Sequence, residues 1–194
     1  MKKHIFLCVI VLLALFSCKD EMEKTVFIPD EDDPNLPAYT EWGYNSFGAE
    51  YERDYFIVSN KIVPCKIVYN NHQLQFSLHG KSYSGRDMTL LFVFPLTIQM
   101  SDYKDLVRLD GVKIDLSEND CTVKMMQDHK ETTLEVSEGT LHFKRAQILR
   151  IDDAVNRTIL SGIFDVRFME NGFPATISNG RFDMGITNSV FSGQ

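Results

Sequence analysis

Apolar and polar residues alternate along several short runs between residues 73 and 144. Residues 73–79, 133–137 and 141–144 carry apolar side chains at every second position. A period of two is typical of a strand that packs one face on a core and exposes the other to water. Residues 89–94 are apolar on both faces, which predicts a central strand that ends, bulges or reaches a sheet edge at Pro95.

Short turn sequences separate these runs. Residues 70–72, the pair Glu138-Gly139 and the pair Asn171-Gly172 each lie between two strand-like segments. Asn-Gly is a strong hairpin signal because both central residues of a type I′ turn need positive φ. No window predicts a long amphipathic helix. We therefore expect an all-β fold, an antiparallel β-sandwich of about ten short strands, with a lipocalin-like β-barrel as the alternative.

The parity of apolar positions in the last third of the chain predicts which residues face the core. Leu141 and Phe143 have one parity and Ala146 the opposite one, so we expect a bulge or bend near Lys144-Arg145. Two further rows each share a face: Gly162, Phe164, Val166 and Phe168 in one, and Gly180, Phe182, Met184 and Ile186 in the other.

The first residues have the pattern of a bacterial lipoprotein signal. Lys2 and Lys3 precede an apolar run over residues 5–16, which is shorter than the roughly 20 helical residues that a membrane span needs. Residues 15–18 read Leu-Phe-Ser-Cys and resemble a lipobox. We expect a signal peptide over residues 1–17, cleavage before Cys18, and attachment to a membrane through lipid on Cys18.

The residues that follow Cys18 predict a cellular location and a spacer. Residues 19–23 resemble the lysine-plus-acidic export signal of Bacteroidota surface lipoproteins, which implies the outer face of the outer membrane; the periplasmic face is the alternative. Residues 18–37 are acidic and carry three prolines, so we expect an extended tether. Residues 38–194 are long enough for a single β-sandwich domain with its own core.

Three segments of this domain resemble a known family. Residues 38–49, 161–165 and 177–183 are similar to the two ends of a family of uncharacterised lipoproteins from Bacteroidota. The resemblance implies an all-β lipoprotein domain. It implies no catalytic residue, because the family has no established activity to transfer.

The candidate chemistry in the rest of the chain is sparse. Cys65 and Cys121 both face inward by parity, which allows either a disulfide between them or two separate core thiols. The histidines after residue 18 lack metal-ligand spacing, and we expect no metal, cofactor or catalytic residue. Carboxylates of the domain are expected on solvated faces: Glu131, Glu135, Asp165 and Asp183.

Net charge and the positions of aromatic residues narrow the classes of ligand that the domain could bind. The formal net charge of −7 and the lack of a basic patch exclude a nucleic-acid partner. Tyr39, Trp42 and Tyr44 lie close together in the sequence, and aromatic faces with polar neighbours suit sugars; the other interpretation has Trp42 closing one end of the core. The leading hypothesis is a non-enzymatic, lipid-anchored module that binds an extracellular glycan or protein, or has a structural role. The alternative is a lipid-anchored hydrolase with a glycosidase-like pair of carboxylates.

Overall fold

A computed structural model describes residues 24–59, 63–152 and 154–193 of the chain. It contains twelve strands and a 3-10 helix over Tyr103–Leu109. The strands are β1 Ser46–Tyr51, β2 Asp54–Ile57, β3 Cys65–Asn70, β4 Gln73–Ser82, β5 Asp87–Pro95, β6 Lys113–Asp115, β7 Thr122–Gln127, β8 Lys130–Thr133, β9 Glu135–Ile151, β10 Ala154–Glu170, β11 Phe173–Ile186 and β12 Phe191–Gly193.

The strands form one folded-over sheet with two facing layers. Its order is β6-β9-β10-β11-β1-β2-β4-β5-β7-β8, and β3 pairs with β4 and, in parallel, with β12. Aromatic contacts join the layers: the ring centroids of Phe76 on β4 and Phe182 on β11 lie 5.0 Å apart, and those of Phe92 on β5 and Phe164 on β10 lie 5.2 Å apart. The fold is all-β and consistent with a sandwich; in the described residues the sheet does not close into a barrel.

Several sequence predictions about hairpins and faces are confirmed. Asn171 and Gly172 form the two-residue turn between β10 and β11 with φ of 52° and 82°. The register of β9 against β10 shifts between Ser161 and Gly162 and leaves Lys144 without a partner, which is the bulge that parity predicted. Both apolar rows on β10 and β11 are buried. β5 is a central strand between β4 and β7.

The predicted turn at Glu138-Gly139 is wrong. Both residues lie inside β9, which continues for 17 residues from Glu135 to Ile151. The strand assignment is interrupted earlier, at Leu134, the single residue between β8 and β9. Gly139 is needed for close packing instead, since a Cβ there would lie 3.0 Å from the carbonyl oxygen of Asp165 on β10. This part of the chain accordingly contains one turn fewer and a longer strand than the sequence suggested.

The predicted tether is wrong for its described part. Residues 24–37, here called the N-terminal strap, fold back on themselves through a bridge between Pro29 and Pro37. Leu36 is fully buried, and Asp30 accepts a 2.6 Å hydrogen bond from the Arg181 guanidinium of β11. Burial of Leu36 and this ion pair outweigh the acidic, proline-rich composition on which the tether was predicted. The folded domain therefore begins before residue 38.

The lipoprotein signal, Cys18 and the export signal over residues 19–23 lie outside the described residues. Where the structure describes the chain, it contains no helix of the length and apolarity that crossing a membrane requires. Cys65 and Cys121 are both free thiols, so the disulfide that the sequence allowed is not formed. Cys65 is buried on β3 and Cys121 is half-buried just before β7, as two separate thiols.

Candidate functional site

The candidate site is a groove where the chain approaches β1, here called the Trp42 groove. It has a volume of about 500 Å³. Trp42 is 70% exposed, so it does not close the core, whereas Phe47 is fully buried within it. The groove is lined by Tyr39, Thr40, Glu41, Trp42, Arg145 and Gln147.

The three aromatic residues predicted as a ligand-stacking group are only partly brought together. Tyr39 lines the same groove as Trp42. Its hydroxyl donates a 2.9 Å hydrogen bond to Glu41, and the ammonium of Lys144 lies 5.4 Å from its ring centroid. Burial and the Glu41 carboxylate raise the pKa of Tyr39, so the hydroxyl stays protonated. Tyr44 does not line the groove.

The opposite wall of the groove comes from β9, immediately after its bulge. The extra residue at Lys144 changes the parity of the strand and turns Arg145 and Gln147 toward the groove. Gln147 Nε2 donates to the carbonyl oxygen of Glu41 at 3.0 Å, which links the two walls. Arg145 Nη1 lies 3.8 Å from Asp110 Oδ2, and the Ala146 amide donates to the other oxygen of Asp110 at 2.7 Å.

Asp183 fixes the loop that presents Trp42. It is 2% exposed on β11, and its carboxylate accepts five hydrogen bonds. The donors are Thr40 Oγ1 at 2.6 Å, the backbone amides of Trp42 at 3.1 Å, Gly43 at 2.8 Å and Tyr44 at 3.2 Å, and Ser161 Oγ at 2.8 Å. The prediction that Asp183 lies on a solvated face is wrong. Its carboxylate holds the loop backbone in one conformation before any ligand arrives.

The loop sequence explains how the amides reach this carboxylate. Gly43 has φ of +74°, a conformation that glycine adopts without strain. Asn45, also at positive φ, accepts a hydrogen bond from the Gly185 amide of β11 at 2.9 Å. The chain can thus turn sharply between Trp42 and β1 and direct three successive amides inward.

The groove suits binding better than acid catalysis. Among the described residues, Glu41 carries the one carboxylate that lines the groove. Asp183 lies nearby, but it is buried and all its accepting positions are used by the five donors. Glycoside hydrolysis uses two carboxyl groups that can reach the same substrate bond. An exposed indole with amide, guanidinium and carboxylate groups around it provides stacking and hydrogen bonding instead.

Sequence reasoning missed Glu41, Arg145 and Gln147. The predicted bulge near Lys144-Arg145 was the available signal, since bulges commonly redirect side chains at binding sites. The contact of Gln147 on β9 with Glu41, 106 positions earlier in the chain, could not be read from local pattern. Comparisons of the chain with protein-family models, with curated proteins and with solved structures found no match.

Proposed function

We propose that this protein is a lipid-anchored binding module that takes a saccharide in the Trp42 groove. One observation carries the proposal: Trp42 is 70% exposed beside polar groups from two elements, on a loop held by four hydrogen bonds to Asp183. Sugar rings present C–H faces that pack on an indole, while their hydroxyls bond to neighbouring polar side chains. A preformed loop lowers the entropy lost on binding.

The anchor in this proposal is lipid on Cys18, with the domain displayed on the outer face of the outer membrane. The support is the sequence: an apolar run of twelve residues that ends in a lipobox, followed by the acidic residues behind Cys18. The resemblance to Bacteroidota lipoproteins belongs to the same proposal. Replacing Cys18 by Ala is expected to leave the precursor without lipid, measured by metabolic labelling with a fatty acid. Recovery of labelled C18A protein would refute the anchor.

Saccharide binding is tested by applying the full-length protein to a glycan array. We expect at least one class of saccharide to be bound, and a loss of about tenfold or more in affinity in the W42A variant. Y83A is the matched control, because Tyr83 is 77% exposed in the turn between β4 and β5 and does not line the groove. The Y83A protein should bind like the wild type.

Two results would contradict the saccharide proposal. The first is a wild-type protein that binds nothing on the array, which would favour a protein ligand. The second is binding that W42A retains in full. A circular dichroism spectrum of W42A that matches the wild type separates loss of binding from loss of fold.

A further inference from the structure

A second concave site lies on the solvent-facing side of β3, β4, β5, β7 and β8, far from the Trp42 groove in the sheet order. Its volume is about 210 Å³, below the roughly 300 Å³ at which sites for drug-sized ligands begin. We call it the His79 hollow. The polar side chains that line it and enter the argument are those of Lys66, Ser77, His79, Thr89, Lys124 and Glu131.

Strand register explains why these side chains meet. Lys66 on β3, Ser77 on β4, Leu91 on β5 and Lys124 on β7 are successive cross-strand partners. The next row consists of His79, Thr89, Met126 and Glu131. Ser77 is short and lies between long neighbours, so the sheet face is depressed at its position.

The floor of the hollow is a chain of three hydrogen-bonded side chains. Ser77 Oγ donates to the carbonyl oxygen of Lys66 at 3.2 Å, and His79 Nε2 lies 3.0 Å from Ser77 Oγ. Since the Ser77 proton is used, Nε2 is the donor and Nδ1 accepts from Thr89 Oγ1 at 3.0 Å. This assignment requires a neutral imidazole, in agreement with burial and the Lys66 charge, which lower the pKa of His79.

We propose that the His79 hollow binds the carboxylate of a small monoanionic organic acid, with Lys66 as its ion-pair partner. Lys66 makes no ion pair within the described part of the chain, whereas Lys124 is paired with Glu131 at 2.8 Å. The hollow therefore carries about one net positive charge, which matches one carboxylate. Val68, Leu91 and Met126 supply an apolar wall for the body of the acid.

Binding is coupled to a proton on His79. When the imidazole is protonated, Nδ1 donates to Thr89 Oγ1, and the Thr89 hydroxyl proton becomes free to bond to the bound carboxylate. The charged groups around His79 are Lys66 on β3, Lys81 on its own strand paired with Asp87 of β5, and Lys124 and Glu131 on β7 and β8. An added carboxylate stabilises the imidazolium, so it raises the pKa of His79. Affinity should then increase as pH falls below the ordinary histidine value of 6.5.

The test uses benzoate and the full-length protein, with the His79 ring followed by NMR over a pH series; H79Q identifies the resonance. Benzoate is expected to raise the apparent pKa of His79 and to bind more tightly at pH 5.5 than at pH 7.5. K66Q should weaken benzoate about tenfold, and E131Q should strengthen it several-fold by releasing Lys124. K104Q, at an exposed position of the 3-10 helix, is the matched control and should bind like the wild type.

Three outcomes would overturn the proposal. Benzyl alcohol, the neutral counterpart, could shift the His79 resonance as benzoate does, which would leave the carboxylate without a role. K66Q could bind benzoate with unchanged affinity. His79 could titrate identically with and without 50 mM benzoate, which would mean that no acid enters. Lys66 and Glu131 are both exposed, so these variants should keep the native fold, as a matched melting temperature would verify.

Discussion

At the scale of single residues, Asp183 makes the largest set of hydrogen bonds in the candidate site, and its buried position was the hardest to predict from the sequence. Alternation placed it opposite Phe182 and Met184, on the face that sequence reasoning gives to solvent. The structure covers that face with the loop of residues 40–44, whose amides complete the carboxylate's hydrogen bonds. Strand periodicity identifies two faces of a sheet. It does not show that a distant loop covers the second one.

Replacing Asp183 by Asn is expected to destabilise the domain by about 3 kcal/mol and to abolish saccharide binding. An amide nitrogen cannot accept the donors that one carboxylate oxygen now takes, so at least one buried donor loses its partner. Urea unfolding followed by Trp42 fluorescence measures the change. D165N is the control, since Asp165 is exposed on β10; its free energy of unfolding should change by about 0.5 kcal/mol or less. Equal effects of the two variants would contradict the role of Asp183.

The two cysteines of the domain allow a second residue-scale prediction. Burial, with Asp120 and other nearby carboxylates, raises the pKa of Cys121 from 9.0 to about 11, and burial raises that of Cys65 further. At pH 8 the thiolate fraction of Cys121 is then about 100-fold lower than that of an ordinary cysteine. Its greater nucleophilicity compensates in part, which leaves alkylation about tenfold slower.

The measurement uses full-length protein with Cys8 and Cys18 replaced by Ser. Iodoacetamide should modify Cys121 slowly in the native protein and Cys65 only after unfolding. Two titratable thiols should appear in denaturant without reductant. Finding none would demonstrate the disulfide that the structure lacks.

At the scale of elements, the local sequence pattern predicted which strands pair more accurately than it predicted how long each strand is. The Asn171-Gly172 hairpin, the central position of β5 and the bulge at Lys144 all follow from residues that are neighbours in the sequence. The continuity of β9 through Glu138-Gly139 and the folding of the N-terminal strap depend on contacts with remote strands. The acidic, proline-rich composition of the strap indicated a spacer, and most of its apolar residues are indeed exposed; burial is confined to Leu36 and Pro37.

The contribution of the N-terminal strap to stability can be tested at Leu36. L36A should lower the free energy of unfolding by about 3 kcal/mol, because a fully buried leucine leaves a cavity under the strap. V26A is the matched control, since Val26 is 42% exposed on the same segment and should cost less than about 1 kcal/mol. Limited proteolysis should also cut the strap faster in L36A. If L36A melts like the wild type, the strap contributes nothing to the fold.

At the scale of the whole molecule, the two layers depend on a junction between the beginning and the end of the chain. β1 lies between β2 and β11, so the sheet is continuous only when β11 is present. A chain that ends at Gly172 should therefore remain unfolded by circular dichroism. A chain that ends at Thr187 loses only β12, which pairs with β3 alone, and should keep the sheet. Native-like spectra from both chains would contradict this topology.

The hydrogen bonds between Asp183 and the loop of residues 40–44 also affect the timing of folding. It joins Thr40 to a residue 143 positions later, and such distant contacts form slowly because a long loop must close first. During synthesis the amides of Trp42, Gly43 and Tyr44 thus lack their carboxylate acceptor until almost the entire chain has been made. We therefore expect the Trp42 groove to form late, when β11 pairs with β1 and β10 and brings Asp183 against the loop.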